Sequence, residues 1–118
     1  MALNFAPGDD LVFQVESGFG LMRVLAVEGE GRETVWHILV YHDFYPDVES
    51  AEAALNAGRE LEVREPHIAL TEHAFEKTPA ARLTNRAVRQ DELTALERWR
   101  QNGGVAHDRS VLLMIGMR

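Results

Sequence analysis

The run from Thr34 to His42, TVWHILVYH, sets the strongest limit on the fold. In an extended strand Val35, Leu39 and Tyr41 fall on one side, and Trp36, Ile38 and Val40 on the other. A strand that is apolar on both sides has to be covered on both, which places it in the middle of a sheet. Two upstream segments supply neighbours. In LVFQVE (11–16), Leu11, Phe13 and Val15 alternate with Gln14 and Glu16 in the pattern of a half-buried strand. Leu21 to Val27 is apolar on both sides apart from Arg23. Ser17-Gly18-Phe19-Gly20 reads as the turn between these two, with glycines taking positive φ, and Gly29-Glu30-Gly31 as the turn into the third strand.

Downstream, Pro46 cannot donate a ladder hydrogen bond and stops the third strand. Asp47 is placed to cap a short helix over Val48 to Ala57, with Ala51, Ala54 and Leu55 on one stripe and Gly58 as its stop. Glu60 to Arg64 alternates as a charged edge strand closed by Pro66. TEHAFE reads as a helical turn capped by Thr71, and ARLTNRAV (81–88) as a further strand. Asp91 caps a helix over 91–101 in which Leu93, Leu96 and Trp99 recur at helical spacing before Gly103-Gly104. The final apolar segment, VLLMIGM (111–117), is expected either to pack on Leu93, Leu96 and Trp99 or to stay partly exposed as a dimer or partner interface, for which Met114 and Met117 are suited. The expectation is a single α+β domain over 1–118. Its core is a small bent antiparallel sheet, an SH3-like partial barrel in 7–66, followed by a mixed extension in 67–118.

Composition removes several chemistries. The chain has no cysteine, which excludes disulfides, thiolate catalysis, cysteine-ligated zinc and iron–sulfur clusters. MALNFAPGDD has no basic segment followed by an apolar one, and no apolar run approaches a membrane span, so a soluble cytoplasmic chain is expected. Charge is divided unevenly. Residues 1–66 carry 13 acidic and 4 basic side chains, net -9, and residues 67–118 carry 6 acidic and 8 basic, net +2. The first half would repel phosphate backbones; it suits a solvated acidic surface or one shaped for a basic protein.

The candidate site lies where the third strand ends. Trp36, Tyr41, His42, Asp43, Tyr45 and Asp47 gather rings, imidazole and carboxylates there, and are the expected binding residues. Strand exit and helix cap account for much of the same cluster. A mixed nitrogen and oxygen metal site from His42, Asp43 and Asp47 with His67 or His73 is the enzymatic alternative, a metal-assisted hydrolase. No two of the five histidines have the i, i+4 spacing of a helical metal pair. No serine sits in a G-x-S-x-G elbow, and the neighbours in His107-Asp108-Arg109-Ser110 would point to opposite faces of a strand; in a turn, Asp108 would cap the segment after it. Asp9-Asp10 follows a Pro7-Gly8 turn, and Gly29-Glu30-Gly31-Arg32 lacks the lysine and hydroxyl of a phosphate loop. A second alternative is a small barrel that binds nucleic acid through Arg82, Arg86 and Arg89. Against it stand a pI near 5.1 and the absence of aromatics among those arginines. Otherwise these arginines pair with the acidic first half.

PGDDLVFQVESGFGLMRVLAV, followed by an aromatic-rich strand and an acidic helix, resembles the opening of a family of small bacterial immunity proteins found beside polymorphic toxins. Pro7, Gly8 and Asp9, then Gly20, Val24 and Leu25, carry the likeness, which covers residues 7–65. AFEKTPAARL, ELTALERWR and HDRSVLLMIGM are similar to segments of uncharacterised bacterial proteins. The resemblance implies a non-enzymatic protein that blocks a toxin by surface complementarity, and the acidic half would fit a basic partner. The expectation is therefore a protein-binding module, without cofactor or membrane association, whose partner is a protein or a second copy of the chain.

Overall fold

In the computed structural model, which describes residues 4–116, the doubly apolar strand is internal to an open five-stranded antiparallel sheet. The strands are β1 (Asp9–Val15), β2 (Gly18–Glu28), β3 (Val35–Tyr45), β4 (Val63–Thr71) and β5 (Ala80–Asn85), in the spatial order β4-β3-β2-β1-β5. The last strand comes from beyond residue 66 and pairs with β1, so the sheet draws on both halves of the chain. Helices α1 (Val48–Asn56), α2 (Glu72–Glu76), α3 (Thr94–Gln101) and α4 (Val111–Met114) complete an α+β domain.

Both faces of the sheet are covered, as β3 requires. On one face Leu11, Phe13, Met22, Val24, Trp36, Ile38 and Val40 pack with Phe75 of α2 and with Val111 and Ile115 at α4. On the other, Val12, Leu21, Leu25, Leu39 and Tyr41 pack with Ala51 and Leu55 of α1 and Leu96 of α3. Val111 and Ile115 of the C-terminal segment are thus core, on the face opposite Leu96, while Leu113 is exposed. The segment's expected packing on Leu93 and Leu96 is corrected, because the parity of the strands puts these two in the other cluster; Trp99 and Met114 border one small hollow. Met117 lies outside the described residues.

Local chemistry explains where the elements begin and end. Asp47 Oδ1 accepts from Ser50 N at 2.7 Å and caps α1, and Thr71 Oγ1 accepts from Ala74 N at 3.1 Å and caps α2, as the sequence indicates. Three other expectations change. The β1–β2 turn is Glu16-Ser17, and Gly18 and Gly20 lie in β2 without positive φ. These two glycines are needed for space: a Cβ on Gly20 would meet the Phe13 ring at 2.5 Å, and one on Gly18 would meet the Tyr45 carbonyl at 2.4 Å. β4 runs through Pro66, which an edge strand tolerates at a bulge. The register moves from Ile38↔Ile68 to Val40↔Glu65, which puts the extra residue at Pro66-His67. Asp91 does not cap α3. Residues Gln90–Leu93 form a 3-10 turn in which Glu92 accepts from Arg89 N at 2.9 Å, while Asp91 pairs with Arg89. Ser110, rather than Asp108, caps α4.

Arg23, the one charge within the apolar stretch Leu21–Val27 of β2, is 1% exposed on the α1/α3 face. It lies directly across from Asp10 on β1, which is 0% exposed. Its Nε donates to Glu92 at 2.7 Å, Nη1 to the Gly8 carbonyl at 3.0 Å and Asp10 at 3.3 Å, and Nη2 to the carbonyls of Arg86 and Ala87 at 2.9 and 3.1 Å. Asp10 also receives Arg86 Nε at 2.8 Å and Thr84 Oγ1 at 2.8 Å. Two guanidinium groups and two carboxylates balance, and each buried oxygen has a donor, so the charges are tolerable out of water. The network ties the β5–α3 connection to the sheet.

Removal of Arg23 leaves Asp10 and Glu92 short of their partner. Arg23→Ala is expected to cost about 3–5 kcal/mol in unfolding free energy measured by urea denaturation. Arg23→Lys, a point charge without the fork, is expected to restore only part of it.

Candidate functional site

Because Arg23 fixes residues 86–92 against the sheet, the segment leading into α3 stands opposite the α1–β4 connection, and a cleft of about 560 Å³ opens between them. Leu39 and Tyr41 of β3 contribute to it, with Leu55 from the end of α1, Leu61 from the connection and Val63 at the start of β4. Four arginines line it: Arg59, Arg86, Arg89 and Arg98. The acidic groups there, Glu60, Asp91 and Glu92, are already engaged. Glu92 binds Arg23, and Arg89 pairs with Asp91 at 3.0 Å and Glu60 at 3.7 Å.

Tyr41 Oη accepts from Arg86 Nη2 at 3.1 Å. Burial, reinforced by the charge of Asp10, pushes the Tyr41 phenol above its ordinary value and keeps it neutral. The hydrogen bond to Asp10 holds Arg86 firmly protonated. Burial would raise the Glu92 carboxyl, but hydrogen bonds from Arg23 and Arg89 outweigh it and the net shift is downward. The lining thus offers positive charge over an apolar surface.

The six residues expected to bind are dispersed. Trp36 is buried on the α2/α4 face, where it stacks on Phe75 at 4.5 Å and its indole donates to Glu72. Tyr41 is in the cleft, on the opposite face. His42 and Asp43 are exposed, 3.2 Å apart, and Glu62 Oε2 lies 3.5 Å from the same His42 nitrogen. One ligand atom from each of these three falls within 4.8 Å of the others. The remaining members of the hydrolase reading are engaged elsewhere. Asp47 caps α1, a bond that lowers its pKa, His67 contacts His37, and His73 faces Asp108 at 3.4 Å. Tyr45 is half-buried, and burial raises its phenol. The arginines of the nucleic-acid reading pair with carboxylates: Arg82 with Asp9 at 3.5 Å, Arg86 with Asp10, and Arg89 with Asp91 and Glu60. Arg59 was not indicated by the sequence, and Arg98 was indicated only as part of an arginine patch with Arg82, Arg86, Arg89 and Arg100, since the cleft joins segments that only the fold brings together.

A second polar cluster forms at the bulge in β4. His37, fully buried, places Nε2 on Glu28, and its Nδ1 is 2.9 Å from His67 Nε2. The carboxylate can only accept, so His37 donates through Nε2, and in the neutral ring Nδ1 accepts from His67. The two rings stack at 5.1 Å, with the Trp99 edge at 4.8 and 5.5 Å from them, and Arg100 reaches Glu28 at 3.1 Å. Burial lowers the His37 pKa against the pull of Glu28. Burial, with repulsion from His37, lowers His67 to about 4. Both rings are therefore neutral at pH 7 and serve as packing and hydrogen-bonding groups.

No protein-family model, curated protein or solved structure matches this chain.

An unfolded chain takes up a proton at each histidine near pH 6.5, whereas folded His67 resists until about pH 4. Stability from this pair is thus complete above pH 6.5 and declines as the pH falls toward 4. Thermal melts across that range should show a falling midpoint. His67→Gln, which can still donate to His37 but does not titrate, should flatten the decline.

Proposed function

We propose that this chain is a non-enzymatic protein-binding module, of an immunity or regulatory kind, acting on a basic protein partner. The supporting observation is the crest formed by the end of β3, α1 and the α1–β4 connection. Residues 43–62 carry Asp43, Asp47, Glu49, Glu52, Glu60 and Glu62 against the single basic residue Arg59, and all six carboxylates are on exposed residues. Glu49 and Glu52 form no ion pair among the described residues. Ala51, Ala54 and Leu55 hold α1 against the sheet, so its acidic side is presented on a rigid element. Such a surface raises the encounter rate with a basic partner and excludes acidic ones. No helix among the described residues is long and apolar enough to cross a membrane.

The convergence of His42, Asp43 and Glu62 supports a second reading, a metal-assisted hydrolase. It would have to work from an exposed trio, without the walls that exclude water from most metal catalysts.

Affinity capture of the tagged protein from its native cells at low salt, with mass spectrometry and metal analysis of the same sample, separates the two. Under the binding reading a basic protein co-elutes in stoichiometric amount and is released as salt rises. The triple change Glu49→Lys, Glu52→Lys and Glu62→Lys should weaken it at least tenfold with the melting curve retained. Stoichiometric metal without a partner, lost on His42→Ala, would establish the hydrolase reading instead.

A further inference from the structure

We infer that the cleft between α3 and the α1–β4 connection is a binding site for a small amphipathic anion, a free molecule with an apolar body and one carboxylate, sulfonate or phosphate group. This goes beyond the protein-binding reading and does not depend on it.

Three features converge. At about 560 Å³ the cleft has the volume of small-ligand sites, and Leu39, Leu55 and Leu61 give it an apolar lining suited to a ligand's hydrocarbon or aromatic body. Its charge runs against that of the whole protein. The net charge of the chain is -7, yet the lining carries four arginines and three acids, and those acids are already paired with Arg23 or Arg89. Among the described residues Arg59 and Arg98 have no carboxylate within ion-pair distance. They are cations that no described carboxylate neutralises, in a protein with a surplus of carboxylates.

Arg86 adds a pre-oriented donor. Its Nε and Nη2 are held by Asp10 and Tyr41, and Nη1 has no acceptor among the described residues. Since the pair with Asp10 is buried at the carboxylate end, the guanidinium is fixed before any ligand arrives, which reduces the ordering cost of binding. An anionic head would meet Arg59, Arg98 and Arg86, and the apolar body would lie on the leucines. A neutral apolar molecule would leave these cations unused, and a polyanion without an apolar body would leave the leucines in water.

The test uses two dyes of nearly the same aromatic body: 8-anilinonaphthalene-1-sulfonate, an anion, and N-phenyl-1-naphthylamine, which is neutral. The folded full chain should bind the sulfonate saturably at one per chain, tighter than the amine, and decanoate should displace it. Arg59→Gln with Arg98→Gln should weaken the sulfonate at least tenfold and change the amine by less than twofold. Each single change should give a smaller loss in the same direction. Both positions are exposed and unpaired, so melting curves should match that of the original chain. Leu61→Glu should weaken both dyes. Absence of saturable binding, several dyes per chain, equal affinity for the two dyes, failure of decanoate to compete, or equal loss of both dyes in the arginine variants would overturn the proposal.

Discussion

A buried arginine facing a buried aspartate across two strands is the constraint on which the rest of this molecule depends. Arg23 stands in a strand whose other inward positions are apolar, and a charge there is tolerable only if every donor is satisfied and the charges balance. Local sequence cannot meet that demand. The carbonyls of Gly8, Arg86 and Ala87 and the carboxylates of Asp10 and Glu92 come from two stretches, 8–10 and 86–92, both distant from Arg23 along the chain or across the sheet. Gly8 can take part because it adopts φ 93° at a point where a Cβ would collide with the Arg86 carbonyl at 2.4 Å. The network therefore selects a backbone path as well as a set of side chains.

The same network explains the division of labour between the two faces. The α2/α4 face is closed by aromatic and aliphatic packing, with Trp36 on Phe75 at its centre. The α1/α3 face is only partly closed: Leu96 and Leu55 seal the middle, and α3 and the α1–β4 connection stay apart over Leu39 and Tyr41. A wall fixed by ionic bonds does not have to collapse onto the floor beneath it. The cleft persists for that reason; Arg86 and Arg89 come from the segment that supplies Glu92 to the network, Arg98 from α3, and Arg59 from the opposite wall. The acidic crest begins on the other side of the connection. Leu61 faces the cleft while Glu62 sits beside His42, so one short stretch separates a positive hollow from a negative ridge.

Much of the fold was legible. Period-two alternation located β1 to β3, doubly apolar β3 demanded a central position, and Asp47 and Thr71 announced α1 and α2. Failures occurred where a residue's role depends on a distant partner. Gly18 and Gly20 look like turn residues, and only the positions of Phe13 and Tyr45 show that they are there for space. Asp91 looks like a cap and is instead a partner of Arg89, because Glu92 caps the turn while also binding Arg23. Asp9-Asp10 looks like a solvated turn and is buried, since Asn85, Thr84 and Arg86 arrive from β5 and the residue after it to satisfy the pair. Of the candidate site, the sequence named Tyr41, Arg86, Arg89 and Arg98, but attached them to two different readings.

Sequence alone determined the strands, their inward and outward sides, two helix caps, the absence of thiol chemistry and the acidic character of the first half. These follow from side-chain type and spacing along a few residues. The tertiary structure decided which strand pairs with β1, which face receives the C-terminal segment, which of the arginines are consumed by buried acids, and hence where a cleft with free cations remains. Those outcomes depend on contacts such as Arg23 with Glu92 and Asp10 with Arg86, 69 and 76 positions apart. Charge pairing at that range is settled by burial and geometry, which local spacing does not encode.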